Sequence, residues 1–198
     1  DILCPQQLAF AGHDVLIHAA ANYSEFYKTS DGAAVNRTNC EGTRALLQTA
    51  YAQGIRNIVY ISSAAVLATR DGEPTDESAP YDDTTEDAYF RSKIAAEKAV
   101  LDFLSHHPDL RVILLLPTVM LGVGDSGPTP TGKFVLNYLL GKVKFVLPGY
   151  MRVVDAADVA QASVAAMKKG QSGERYLIGG RLYPIADFFR TLAEVCGR

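Results

Sequence analysis

Four short runs in this chain are apolar along almost their whole length instead of at alternate positions: Asp14 to Ala19, Asn57 to Ser62, Arg111 to Leu116 and Arg175 to Ile178. A strand with one wet face alternates apolar and polar residues, so continuous apolarity points to strands covered on both sides, as in a parallel sheet. Helical periodicity fills the intervals, at Ala34 to Gln53, Tyr89 to His106, Gly132 to Gly141, Ala156 to Lys169 and Ile185 to Cys196. Three of these patterns stop at Gly54, Gly170 and Gly197, where glycine is the favoured residue just past a helix end. Such alternation predicts a doubly wound α/β fold with right-handed crossovers and ligands gathered at the carboxyl ends of the strands. The polar stretches Thr69 to Asp87 and Leu121 to Gly132 read as surface loops, the second as a flap over a substrate. At 198 residues the simplest organisation is one domain with a substantial core.

The charge balance narrows the partners. With 19 basic and 22 acidic residues and a formal net charge of -3, there is no broad basic face for nucleic acid. Cys4, Cys40 and Cys196 are far apart and odd in number, and no His or Cys stands at short spacing from them, so reduced, mostly packed thiols in a cytoplasmic protein and no metal are expected. No apolar run reaches the length of a membrane span, and the start lacks a basic-then-apolar stretch, so no membrane partner is expected. The chain opens on Asp1 without a methionine and ends at Gly197-Arg198 straight after a helical pattern, which suggests truncation at both ends.

Tyr89-Phe90-Arg91-Ser92-Lys93 carries the clearest chemistry. Spacing of four puts the phenol and the ammonium on one helical face, where the cation would favour the ionised phenol and make Tyr89 a proton donor or acceptor near neutral pH. Tyr138 and Lys142 repeat the spacing. What distinguishes Tyr89 is the preceding strand, which ends in Ser62-Ser63 and can supply a hydroxyl at the carboxyl edge of the sheet. Gly122 to Gly127 has the letters of a dinucleotide fingerprint, yet Pro128-Thr129-Pro130 stands where the phosphate-binding helix should open. Ala19, Ala20 and Ala21 close the first strand with small side chains that allow a nucleotide, or simply a packed helix, to approach closely. His18 reads as a satisfied interior histidine, and His106 and His107 as complements to a helix dipole. Asn39 and Gly42 are both unfavourable inside a helix; Asn39 can hold a water or a kink, and Gly42 can allow close contact with the sheet.

Taken in order, Val15 to Ala20, Asn39-Cys40-Glu41-Gly42-Thr43, Ser62-Ser63, Tyr89 to Lys93, Pro117 to Gly122 and Val153 to Ala160 resemble the extended short-chain dehydrogenase/reductase family of NAD(P)-dependent epimerases, dehydratases and dihydroflavonol-reductase-like enzymes. The resemblance implies a Rossmann-type sheet whose first βαβ unit is missing here, with residues from about 119 to 198 forming a small substrate-binding lobe. It implies NAD or NADP as cofactor and Tyr89 as general acid/base in hydride transfer. Lys93 would lower the phenol pKa and bond the nicotinamide ribose, Ser63 would hold the reacting oxygen, and Asn39 would position a kink or a water behind Lys93. Asp1 and Ile2 would touch the adenine, and Ala19, Ala20, Ala21, Ser62, Pro117, Thr118 and Val119 would line the cofactor. The implied function is an oxidoreductase or epimerase acting on a nucleotide sugar or a similar small hydroxy or keto substrate. The alternatives are a dihydroflavonol-type carbonyl reductase and, from another class, a non-catalytic dinucleotide-binding sensor or scaffold. A homodimer is expected through Ala34 to Gln53 and Tyr89 to His106, where Ala95, Ala96 and Ala99 would offer a small-residue surface.

Overall fold

A computed structural model of the chain describes residues 1–23, 32–69, 73–127, 129–146 and 148–197; positions 70–72 and 128 of the two expected loops lie outside them. The first half runs β1 (Val15–His18), α1 (Gly32–Asn36), α2 (Gly42–Ala52), β2 (Asn57–Ile61), α3 (Ala88–Ser105) and β3 (Arg111–Pro117). The second runs β4 (Val119–Leu121), α4 (Pro130–Leu139), β5 (Tyr150–Asp155), α5 (Ala156–Lys169), β6 (Arg175–Ile178), β7 (Arg181–Pro184) and α6 (Ile185–Val195).

The four apolar runs form one parallel sheet in the order β1-β2-β3-β6, with Val15 beside Asn57 and Asn57 beside Arg111. Successive side chains leave opposite faces of a strand. Ile58, Tyr60, Val112, Leu114 and Leu116 accordingly pack with Leu46, Leu47, Ala96 and Val100 of α2 and α3, while Val59, Ile113 and Leu115 pack with Ala166 of α5. Each such aliphatic side chain contributes about 1.5–3 kcal/mol when fully buried. Helices on both faces are therefore the reason the runs are apolar throughout, and the doubly wound α/β expectation holds.

A second sheet, β4-β5-β7, joins β4 to β5 in parallel and β5 to β7 antiparallel. The sequence pattern does not point to these strands. β4 has three residues, and β5 and β7 are covered on one side at most, so they lack the long apolar run that marks the first sheet.

Helix starts are set by side-chain caps, which satisfy backbone N–H groups left over in the first turn. Asp87 accepts the Phe90 N–H at 2.9 Å to open α3, and Asp155 accepts the Ala157 N–H at 2.8 Å to open α5. Thr129 accepts the Gly132 N–H at 3.2 Å, so a helix does open after the Gly122 to Gly127 run, with Pro130 in the first turn where its missing N–H costs nothing. That run nonetheless follows β4 of the second sheet, not a strand of the parallel sheet.

Three expectations are corrected or refined. Gly170 ends α5 in extended backbone (φ -66°), not in a left-handed turn; a Cβ there would lie 2.8 Å from Ala166 O and 2.9 Å from Ile113 Cγ1, so close packing selects the glycine. The helix expected from Ala34 to Gln53 is present as continuous helical backbone from Gly32 to Ala52, with a π-helical turn at Arg37–Glu41 around Asn39, where a kink was expected. Ala96 and Ala99 are buried in the chain's own core, which removes the small-residue surface offered for a dimer. Among the described residues no helix is long and apolar enough to cross a membrane. The three cysteines are unbridged, with Cys40 buried, Cys4 half-buried and Cys196 exposed, so packing covers fewer of them than expected.

Candidate functional site

The carboxyl ends of β1, β2 and β3 lie side by side, because the sheet is parallel and in register. They lead into Ala19-Ala20-Ala21, Ser62-Ser63 and Pro117-Thr118-Val119 respectively. The three alanines are exposed, an open ledge of small side chains at the sheet edge. α3 lies across the same end and brings Tyr89, Ser92 and Lys93 in its first turns.

Lys93 is 3% exposed, and its Nζ donates to Ile61 O at 2.8 Å, one residue before Ser62. The ammonium sits 5.0 Å from the centre of the Tyr60 ring. Burial pulls its pKa down to about 8, with Glu97 acting in the opposite direction. Tyr89 lies edge-on to Tyr23, with ring centres 4.5 Å apart. Burial, then Tyr23 and Asp87, push its phenol above the ordinary value. The expected lowering of Tyr89 by Lys93 is thus not found: desolvation of a phenolate, the largest cause, pushes the phenol the other way. Ser63 accepts the Ala65 N–H at 3.2 Å and keeps its own O–H to donate.

Asn39 is 2% exposed within the π-helical turn. Its Oδ1 accepts the Asn22 N–H at 2.6 Å, and its Nδ2 donates to Asn22 O at 3.1 Å and to Ser92 Oγ at 2.9 Å. Ser92 in turn donates to Tyr89 O at 2.7 Å. The wider helical turn therefore aims one amide at both the segment after β1 and the start of α3; the kink is present and the amide faces inward.

Behind this lies a second buried chain. Thr43 Oγ1 donates to Asn39 O at 2.6 Å, which uses its single proton, so His18 must donate from Nε2 across the 2.8 Å contact to the same hydroxyl. Burial first, then Lys93, hold the His18 pKa down at about 4, so the ring is neutral at physiological pH. His18 is an interior histidine as expected. His106 and His107 bond the carbonyls of Asp102 and Phe103 at the end of α3, at 2.8 and 2.7 Å, as a helix terminus predicts.

Other expected site residues are dispersed. Ser62 is buried and donates to Glu97, turned away from the sheet edge, while its neighbour Ser63 remains half-exposed. Asp1 accepts the Leu3 N–H at 3.0 Å. Ile2 lies against Gly42, where a Cβ would come within 3.1 Å of its side chain, so Gly42 makes room for Ile2, not for the sheet. Tyr138 packs on Phe189 with ring centres 4.7 Å apart, and Lys142 lies beyond the end of α4 at Leu139, so the second tyrosine-lysine pair does not share a helical face. Thr118 Oγ1 is buried without a hydrogen-bond partner. A buried hydroxyl left unpaired costs about 1–3 kcal/mol, and this one stands at the sheet edge where a polar ligand would complete it. The unpaired hydroxyl and the exposed alanine ledge leave polar capacity and room at this edge, which are compatible with a nicotinamide dinucleotide.

The sequence reading did not reach Asn22, Thr43 or Tyr60, nor Glu97 with its partners Tyr81 and Arg175. For Glu97 a signal existed. It falls four residues after Lys93, on the stripe of α3 that also holds Ile94, Ala96 and Val100, where a charge is out of place.

The description NAD dependent epimerase/dehydratase family applies to the family model that matches residues 5–179. The chain is 32% identical over 190 residues to a Synechocystis sp. protein with the provisional name dihydroflavonol 4-reductase, covering 92% of this chain and 54% of that protein. It is 31% identical over 194 residues to a decarboxylating sterol-4-alpha-carboxylate 3-dehydrogenase of Candida albicans, covering 91% of this chain and 52% of that one. The crystal structure of gox2253 superposes with a TM-score of 0.89 at 33% identity, covering all of this chain and 60% of the other. The chain spans about half the length of the curated relatives it matches.

Proposed function

The chain belongs to the NAD dependent epimerase/dehydratase family, and from that premise we propose that it is the catalytic part of an NAD- or NADP-dependent oxidoreductase that interconverts a secondary alcohol and a ketone. The observation that carries this reading is the placement of Tyr89 and Lys93 on one face of α3, with the Lys93 ammonium bonded to Ile61 O immediately before Ser62-Ser63. Ala19 to Ala21, Lys93, Pro117, Thr118 and Val119 would hold the dinucleotide, whose nicotinamide supplies or accepts the hydride. Ser63 would donate a hydrogen bond to the substrate oxygen. In reduction, the carbonyl carbon gains a hydride and the carbonyl oxygen gains the Tyr89 proton; in oxidation, Tyr89 takes that proton back. Lys93 would bond the ribose and face the phenolate while it exists. The smaller sheet β4-β5-β7, within residues from about 119 to 198, would form the substrate side.

Two points favour the reductase direction over a nucleotide-sugar epimerase. Burial keeps Tyr89 protonated, which is the form a proton donor needs. The two relatives named above are described as a reductase and a dehydrogenase. An epimerase acting on a nucleotide sugar is the second reading, supported by the breadth of the family description.

The test supplies NADH or NADPH with a panel of cyclic and aryl ketones and, separately, nucleotide sugars, following absorbance of the reduced cofactor. Stoichiometric consumption with a ketone supports the reductase; sugar interconversion without net consumption supports the epimerase. Tyr89→Phe should lower turnover by roughly 10²- to 10⁴-fold, the usual worth of a general acid/base, whereas Tyr138→Phe should behave as the parent. Full turnover in Tyr89→Phe would remove this mechanism, whereas dinucleotide binding without turnover of any ketone or sugar in the parent would leave a dinucleotide-binding sensor as the better reading.

A further inference from the structure

The buried face of α3 carries two charges one turn apart, Lys93 and Glu97. Glu97 is fully buried, and both carboxylate oxygens are engaged. Oε2 accepts the Ser62 hydroxyl, while Oε1 accepts the Tyr81 hydroxyl at 3.2 Å and lies 3.5 Å from Arg175 Nε. Arg175 opens β6, stands 4.8 Å from the centre of the Tyr81 ring, and donates to Ala79 O at 3.3 Å. Tyr81 is held by its bridge to Leu67. A carboxylate buried this deeply costs several kcal/mol of lost hydration, and a well-packed apolar residue would stabilise the fold as well or better. Packing therefore does not account for Glu97. Its contacts lead to the functional edge instead: Ser62 precedes Ser63, and Lys93 lies one helical turn back.

We propose that Glu97 is a positioning residue for the proton-transfer site: through Ser62 it fixes the strand end that presents Ser63, and through its charge it holds Lys93 in place as a cation. This rests on the reaction proposed above.

The groups facing Lys93 limit what else could do this. From β2 come Ile61 O and the Tyr60 ring, whose phenol is pushed up by burial and stays neutral. From β1 comes His18, neutral as well. On α3 itself are Tyr89, protonated, and Glu97, and among the described groups Glu97 is the charge that favours the ammonium. Burial pushes the Glu97 carboxyl above its ordinary value, and the groups it faces, Ser62, the Arg175 cation, Tyr81 and Lys93, each pull it back toward the ionised form.

The experiment labels the lysines with ¹³C at Cε and follows Lys93, assigned by its loss in Lys93→Met, as a function of pH. The parent should titrate at about 8. Glu97→Gln should weaken proton binding at Lys93 by roughly tenfold or more, one unit of pKa. The alkaline limb of ketone turnover should move down in pH by the same amount, while KM for the ketone changes little. Because Glu97→Gln leaves the Arg175 cation without its partner, the double variant Glu97→Gln/Arg175→Met serves as a second arm with the same expected direction. An unchanged Lys93 midpoint in either folded variant, or a lowered midpoint with an unmoved alkaline limb, overturns the proposal. A lowered midpoint together with full turnover in Tyr89→Phe upholds the Glu97–Lys93 coupling and overturns the reaction reading instead.

Discussion

Asn39 and Asn22 are joined in both directions: the Asn39 side chain accepts the Asn22 N–H at 2.6 Å and donates to the Asn22 carbonyl at 3.1 Å. A single side-chain amide thus takes the place of a strand partner for a residue just past the end of β1, and its third bond, to Ser92 at 2.9 Å, ties that residue to α3. This amide, together with the edge-on contact of Tyr23 with Tyr89, ties the segment after the open ledge at Ala19 to Ala21 to the helix carrying Tyr89 and Lys93.

Replacing it should therefore disturb both parts at once. Asn39→Leu should destabilise the fold by about 1–3 kcal/mol, the cost of the hydrogen bonds lost at Asn22 and Ser92, and should weaken NADH binding more than a remote variant of equal stability. Asn39→Asp keeps the acceptor for Asn22 N–H but loses both donors, and should fall close to Asn39→Leu. Urea unfolding alongside NADH fluorescence titration checks this; an Asn39→Asp protein as stable as the parent would count against the bridging role.

NADH affinity should depend on the Lys93 ammonium. Burial has lowered its pKa from 10.5 to about 8, so the ammonium is present below pH 8 and lost as pH rises through it. Affinity should fall across that range in the parent. In Lys93→Met the affinity should be lower at neutral pH and flat from pH 7 to 9. A parent protein whose affinity is constant through pH 9 contradicts the ribose contact.

His18 should make the fold sensitive to acid. Its folded pKa of about 4 lies below the ordinary 6.5, so between these values the unfolded chain binds a proton that the folded chain does not. Stability is full above pH 6.5 and declines as pH falls toward 4, by up to about 3 kcal/mol from this residue. His18→Gln can still donate to Thr43 Oγ1 and does not titrate, so the difference in unfolding free energy between parent and variant should shift by that amount between pH 7 and pH 4. A constant difference would refute the assignment.

Gly170→Ala should cost about 1–3 kcal/mol by overpacking, since its Cβ would press on Ala166 O and Ile113. Gly127→Ala, with nothing within 4 Å of the added carbon, should stay within about 0.5 kcal/mol of the parent. Thermal melts of the two variants separate the effects; equal melting temperatures would show that the end of α5 has room to yield.

The continuous apolar runs determined the parallel sheet, and helical spacing determined that Tyr89 and Lys93 share a face, because burial on two sides and a 3.6-residue repeat both leave their mark on residue order. Capping residues and the glycines after helices set most element ends in the same local way. The direction of the Tyr89 shift was not legible, since a four-residue spacing reports proximity along a helix but not how much water the phenol keeps. Nor were the Asn22–Asn39 bridge, the His18–Thr43–Asn39 chain or the Ser62–Glu97–Arg175 network, whose contacts, apart from Thr43–Asn39 within one helical stretch, join residues 17 to 78 positions apart. Burial of a polar group and the partner that satisfies it depend on which distant segments the sheet brings together. Tertiary packing alone decided them.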